Sequence, residues 1–99
     1  LKQLLPATGI VLEIGSRHGQ HCQYFGEQIH SSNLKETIQC KWQPTDYIDE
    51  CFGQIEQRKN GSKVDIKSFI LKPKVLSLLD KDWESKFKDD DIKLIYLSN

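Results

Sequence analysis

The sequence predicts an α/β fold with an incomplete parallel sheet of about four strands and flanking helices. One observation supports this class, and the length of the chain limits its size. Short apolar, strand-like runs alternate with stretches of helical apolar periodicity, and that alternation is typical of parallel strands joined by right-handed crossovers. The length of 99 residues limits the chain to one domain with a modest core.

The first half of the chain predicts a strand, a helix and a second strand. Ile10 to Ile14 is nearly continuous in apolar, mostly β-branched residues, as in a central strand buried on both faces. Cys22, Phe25 and Ile29 follow at i, i+3 and i+7, which predicts a helix of about three turns. Thr37 to Trp42 alternates apolar and polar residues, so it predicts the second strand.

A second helix is expected after Pro44, which closes the second strand. Thr45 or Asp46 is a suitable N-cap residue for this helix. Four apolar residues then fall at i, i+3, i+4 and i+7, the spacing of a core-facing helix: Ile48, Cys51, Phe52 and Ile55.

The last part of the chain predicts two further strands. A break rich in turn residues, Lys59 to Ser62, ends the second helix, and Val64 to Leu71 is mostly loop. Lys74 to Leu79 is the third predicted strand, and it ends at Asp80. A short helix or turn at Trp83 to Phe87 and a fourth strand at Ile92 to Leu97 follow.

Charge and composition narrow the partners. Lys and Arg together number 14, as do Asp and Glu, so the chain lacks the positive charge with which nucleic-acid-binding proteins neutralise many phosphates. We therefore expect no bulk nucleic-acid binding. Three widely spaced cysteines without a C-x-x-C pair favour a reducing compartment, and we expect an intracellular, cytoplasmic protein. The apolar runs are shorter than the roughly 20 residues of a membrane helix, and no signal peptide is visible.

The turn after the first strand predicts a cofactor site. Ligands of such sheets bind at the carboxyl ends of the strands, where glycines allow close approach of the backbone. The dinucleotide fingerprint would need glycines in place of Arg17 and Gln20, and no phosphate-loop Lys follows. The remaining pattern, Glu13-x-Gly15-x-x-x-Gly19, resembles the acidic-x-Gly-x-Gly-x-Gly loop of class I S-adenosylmethionine-dependent methyltransferases.

A second segment extends this resemblance. The run from Leu12 to His21, with Tyr24-Phe25 and then Trp42-Gln43-Pro44-Thr45-Asp46, resembles the methyltransferase-like 26 family, which has a Ser-Gly-x-Gly-Gln-His turn and a Trp-Gln-Pro-Ser-Asp segment. Leu78-Leu79-Asp80 with Trp83 is similar to its third-strand segment, and Asn99 falls where its fourth strand ends in Asn. The likeness spans about residues 9 to 99. We therefore expect residues 1–99 to be the amino-terminal part of one Rossmann-like methyltransferase domain, truncated after the fourth strand.

The resemblance implies a role for each site residue. The loop from Glu13 through Gly15 and Ser16 to Gly19 would bound the methionine part of S-adenosylmethionine. Asp46 would accept hydrogen bonds from the ribose hydroxyls, Asp80 would lie against the adenine, and Asn99 would begin the segment that meets the reactive sulfur. The methyl acceptor and the catalytic residues are not implied.

Other interpretations stay open at this point. Arg17 stands where the family has Gly, and His18 where it usually has Ser or Thr, so a non-catalytic interaction domain with an impaired pocket is the main alternative. An NAD-dependent oxidoreductase is a weaker one. Glu13 also suits a purely structural role, satisfying nearby donors at the strand end, and the spacing of His18, His21 and Cys22 does not favour a metal site.

Overall fold

The computed structural model of the chain describes residues 5–33 and 38–98. Four strands form one parallel sheet in the order β3-β2-β1-β4. This arrangement confirms the predicted Rossmann-like α/β class. The elements in chain order are β1 (Ile10–Ile14), α1 (Gln20–Asn33), β2 (Lys41–Asp46), α2 (Phe52–Gly61), β3 (Lys74–Val75), a 3-10 helix (Trp83–Phe87) and β4 (Ile92–Leu97).

The main core lies between the sheet and the two α-helices. Side chains alternate between the faces of a strand, so Val11 and Glu13 of β1 lie on the face opposite to Leu12. The predicted helix face of Cys22, Phe25 and Ile29 is buried there, as expected. The members of this core are Val11, Cys22, Phe25, Ile29, Cys40, Trp42, Ile55, Ile66 and Ile70.

The other face of the sheet has a smaller core. It consists of Leu12, Leu76 and Phe87, with Trp83 packed against it from the 3-10 helix. Two apolar side chains of β4 remain exposed, Ile95 and Leu97.

The second strand differs from the prediction. It begins at Lys41 and continues through Pro44 to Asp46, whereas the sequence predicted Thr37 to Trp42. Proline lacks the N–H that a ladder requires, which is why it suggested a strand end. Here the Gln43 side chain substitutes for it, because Nε2 donates to the carbonyls of Pro44 and Lys72 at 2.9 and 2.8 Å.

The helices also differ in their bounds. Helix α1 has 14 residues, nearly four turns rather than three. Helix α2 starts at Phe52 after Cys51, so the predicted N-cap at Thr45 or Asp46 is wrong, and it extends through Gly61 into the predicted break. Ile55 is buried as predicted, while Ile48 precedes the helix and is 41% exposed.

The third strand is much shorter than predicted. It contains only Lys74 and Val75, and the apolar residues Leu78 and Leu79 after it are exposed. Between α2 and β3 the chain is mostly irregular, as predicted. That loop nevertheless supplies two core residues, Ile66 and Ile70, whose side chains pack so closely on α1 that a Cβ at Gly26 would lie 2.8 Å from Ile70.

Candidate functional site

The turn between β1 and α1 has left-handed backbone at every second residue. The φ angles are 80° at Gly15, 53° at Arg17 and 87° at Gly19. Glycine adopts this conformation without cost, whereas a residue with a Cβ loses about 1–2 kcal/mol. The backbone at Arg17 is therefore of the kind that usually requires glycine, although the chain places an arginine there.

Backbone hydrogen bonds attach this turn to the end of β2. The N–H groups of Gly15 and Ser16 both donate to the carbonyl of Thr45, at 3.1 and 2.8 Å, and Gly19 N–H donates to the carbonyl of Ser16 at 3.0 Å. In return, Thr45 N–H donates to Ser16 Oγ at 2.9 Å. The position of the turn is thus fixed relative to both central strands.

Glu13 is fully buried and connects four parts of the site. Its Oε1 accepts from Ser16 Oγ at 2.7 Å and from Trp42 Nε1 at 2.9 Å. Its Oε2 accepts from Ser98 Oγ at 2.5 Å, so β1, the turn, β2 and the end of β4 meet at one carboxylate. A buried carboxylate is tolerated here only because all three donors lie at hydrogen-bonding distance from it. Glu13 therefore organises the site from beneath, which agrees with the structural alternative considered from the sequence.

Asp46 lies at the carboxyl end of β2, beside the turn. Its Oδ2 accepts from the Arg17 N–H at 2.9 Å, and its Oδ1 accepts from the Tyr47 N–H at 2.8 Å. The side chain caps these two backbone groups instead of the predicted helix terminus. Asp46 is buried, and its carboxylate stabilises the left-handed backbone at Arg17.

A pocket of about 440 Å³ opens above the turn, at the carboxyl edge of β1 and β4. In the order β3-β2-β1-β4, the chain first adds β2 and β3 on one side of β1 and then adds β4 on its other side. Folds of this kind bind their ligands at that switch point, between β1 and β4. Its size lies within the range of roughly 300–1,000 Å³ for small-molecule sites. The lining residues are Gly15, Ser16, Arg17, His18, Gln20, His21 and Ser98.

Two predicted site residues are not part of this arrangement. Asp80 lies in a turn five residues beyond the end of β3, not at the strand end; it accepts from Asp82 N–H at 3.0 Å and pairs with Lys86 at 3.8 Å. Asn99 lies outside the described residues. The structure thus brings Glu13, Gly15, Ser16, Gly19 and Asp46 together and places Asp80 in a separate segment.

Sequence reasoning missed three side chains of the site. Trp42 was predicted only as the last residue of the second strand, but it is buried within β2 and donates to Glu13. His21 Nδ1 lies 2.5 Å from Ser98 Oγ, and these residues are 77 positions apart, so no local pattern marks the pair. Only the parallel pairing of β1 with β4 brings them together.

The thiol of Cys22 lies in the core below this network. Burial raises its pKa far above the ordinary value, and the negative charge of Glu13 raises it further. Burial likewise raises the pKa of Cys40. Cys22, Cys40 and Cys51 are free, and the described part of the chain has no group of three His, Cys, Asp or Glu side chains placed to hold a metal ion.

Comparison with known proteins connects the chain to one family. Residues 1–99 match the family described as "Protein of unknown function (DUF938)". The chain belongs to the DUF938 family. No curated protein matches it, and no solved structure does. Within residues 5–33 and 38–98 of this DUF938 chain, no helix is long and apolar enough to cross a membrane.

Proposed function

We propose that the DUF938 chain forms the S-adenosylmethionine-binding portion of a methyltransferase of the methyltransferase-like 26 type. The observation that carries the proposal is the run of left-handed residues at 15, 17 and 19, directly after the buried acid Glu13. The acidic-x-Gly-x-Gly-x-Gly loop of class I methyltransferases has glycines at these three positions. The backbone of the turn therefore follows that pattern although one glycine is replaced.

The same backbone argues against a dinucleotide site. The nicotinamide fingerprint places its glycines at the first, third and sixth positions, which are 15, 17 and 20 here. Gln20 is already the first residue of α1, and Gly19 is the left-handed residue before it. The turn is thus spaced for the methyltransferase pattern rather than for NAD.

The residues of the site fit the chemical groups of this cofactor. Each carboxylate oxygen of Asp46 accepts one backbone N–H and retains a second lone pair, which suits the two ribose hydroxyls as donors. Gly15 and Ser16 line the pocket and leave room for the methionine part. Arg17 is exposed at the rim, where its guanidinium is suited to pair with the cofactor carboxylate.

Bound S-adenosylmethionine would supply an electrophilic methyl group on a sulfonium, and the protein would hold an acceptor close and in line with it. The acceptor is a small molecule or macromolecule of unknown identity. Asp80 is proposed to contact the adenine, which requires its turn to lie near the cofactor when the site is filled. Asn99 is proposed to begin the segment that meets the sulfur.

Arg17 supports one rival function, a methyltransferase-like interaction domain without catalysis. Its side chain lines the pocket from a strained backbone position, so a bound cofactor has to accommodate it. The two functions differ in a single measurable property. The first requires cofactor binding by the natural chain, and the second excludes it.

Calorimetric titration of the full-length protein with S-adenosylhomocysteine tests the proposal. We expect saturable binding, and we expect Asp46→Asn to weaken it about tenfold or more, because a hydrogen bond to a charged group contributes about 1.5–3 kcal/mol. Asp49→Asn is the matched control, since Asp49 is an exposed acid three residues further on.

Two other results would redirect the interpretation. Binding that is absent in the natural protein and restored by Arg17→Gly would favour the interaction domain with a closed pocket. Saturable binding of NAD, without binding of S-adenosylhomocysteine, would favour the oxidoreductase.

A further inference from the structure

A chain of hydrogen bonds leads from the buried carboxylate to the pocket. Glu13 Oε2 is bonded to Ser98 Oγ at 2.5 Å, and Ser98 Oγ is bonded to His21 Nδ1 at 2.5 Å. The His21 ring also contacts Tyr96 edge-on, with the ring centroids 5.5 Å apart. Two independent contacts therefore hold the imidazole, and its side chain lines the pocket together with Ser98.

The donors and acceptors along this chain determine the histidine tautomer. An ionised carboxylate only accepts, so the single hydroxyl proton of Ser98 goes to Glu13 Oε2. Ser98 Oγ then has only lone pairs for His21, and Nδ1 must donate to it. A neutral imidazole with its proton on Nδ1 carries its basic lone pair on Nε2.

We propose that His21 Nε2 is the proton acceptor of the methyl transfer, and that the methyl acceptor is an alcohol, phenol or amine. The assignment rests on the proposed function. A base is useful only to a nucleophile that loses a proton, so the oriented imidazole selects O–H and N–H groups. Glu13 and Ser98 act through His21 and are positioning residues, because they fix the tautomer and the ring.

The step balances without a further reactant. A lone pair of the acceptor oxygen or nitrogen forms the bond to the methyl carbon, and the carbon–sulfur bond breaks with its electron pair going to sulfur. The proton of the acceptor goes to His21 Nε2 and is later released to solvent. The products are the methylated acceptor, S-adenosylhomocysteine and one proton.

The tautomer is measured first, by two-dimensional long-range ¹⁵N NMR of the full-length protein. We expect a protonated Nδ1 and an unprotonated Nε2 at His21. Ser98→Ala should remove this preference. His30→Ala should not, because His30 lies near the other end of α1 and contacts Phe69 instead. A neutral His21 ring with its single proton on Nε2 in the natural protein would reverse the hydrogen bonds to Ser98, and it would overturn the assignment.

Kinetics then separate the base from the binding site. His21→Asn keeps a donor in place of Nδ1 and removes the base, so transfer from radiolabelled S-adenosylmethionine to catechol or benzylamine should fall about 100-fold or more. Transfer to thiophenol, which ionises near neutral pH, should change less. The control His30→Asn should leave the rates unchanged.

The outcomes distinguish this assignment from the proposed function. Equal transfer rates in His21→Asn and the natural protein would overturn it, as would transfer to thiophenol alone or to none of the three probes. In each case, titration with S-adenosylhomocysteine reports separately on cofactor binding. We expect His21→Asn to retain that affinity within about threefold, because the ground-state contact to Ser98 is preserved.

Discussion

The carboxyl edge of β1 and β2 and the segment after β3 both contain acids predicted to bind the cofactor, but they are built differently. At the first edge, polar side chains from the turn, from β2 and from the end of β4 converge on the buried Glu13. In the segment from 77 to 91, short-range backbone hydrogen bonds dominate, with exposed ion pairs such as Lys86 with Asp80 at 3.8 Å. The family resemblance implied cofactor-binding roles for acids in both regions.

This difference indicates where the site is preorganised. A buried network with all its partners satisfied holds its members in one geometry, and removing one member leaves the others without partners. Exposed pairs contribute about 0–1 kcal/mol and constrain little. The Glu13 region is therefore held in one geometry, whereas weaker and more exposed contacts hold the Asp80 region.

The largest effect is expected from Glu13→Ala, which breaks the first region. Trp42 Nε1 and the hydroxyls of Ser16 and Ser98 lose their acceptor together, so the free energy of unfolding should fall by about 3–5 kcal/mol. Urea denaturation measures it. Glu13→Gln retains one acceptor oxygen and should lose less than half as much. A loss below about 1 kcal/mol for Glu13→Ala would show that the network does not stabilise the fold.

Alkaline pH should weaken the same region through Cys22. The folded state keeps this thiol protonated above the ordinary pKa of 9.0, whereas the unfolded chain releases the proton. The unfolded state then binds fewer protons, so stability falls as pH rises above about 9, by up to about 1.4 kcal/mol at pH 10 from this group. Cys22→Ala should reduce the loss between pH 8 and pH 10. A loss in Cys22→Ala identical to that of the natural protein would contradict the burial argument.

Arg17→Gly should change the stability in the opposite direction, because this substitution in the first region is expected to stabilise the fold. Glycine relieves the left-handed strain at position 17, but it also increases the entropy of the unfolded chain, so we expect a net stabilisation of about 0.5–1 kcal/mol. Lys81→Gly, in the segment after β3, has no such strain to relieve and should destabilise slightly. Thermal unfolding of the two variants measures the difference. Destabilisation by both would indicate that the arginine side chain contributes contacts that outweigh its backbone strain.

The sequence predicted the parts of the fold that depend on local pattern. β1, the 3-10 helix and β4 have the bounds that the sequence predicted. The end of β2 was predicted too early because the Gln43 side chain compensates for Pro44, which local propensity cannot anticipate. The third strand was overestimated because Val75 to Leu79 is mostly apolar, although Leu79 is 95% exposed.

The candidate site divides in the same way. Glu13 and Asp46 lie near the ends of their strands and Gly15 directly follows one, so the strand pattern alone predicted that they lie near one another. His21 and Ser98 meet only through the pairing of β1 with β4, and their hydrogen bond had no signal in either segment. Arg17 stands where the resembling family has Gly, and its φ of 53° shows a left-handed backbone at that position.

The smallest effect on stability is expected from Asp80→Asn, in the second region. The carboxylate accepts from an exposed N–H and pairs with a half-exposed lysine, so the free energy of unfolding should change by less than about 0.5 kcal/mol. Contact with adenine predicts a separate effect, a loss of about fivefold in S-adenosylhomocysteine affinity when the charged acceptor becomes neutral. Urea denaturation and calorimetry on the same protein measure the two quantities. A fivefold loss of affinity without a change in stability would mean that Asp80 contacts the ligand, and unchanged affinity would confine the site to the network around Glu13.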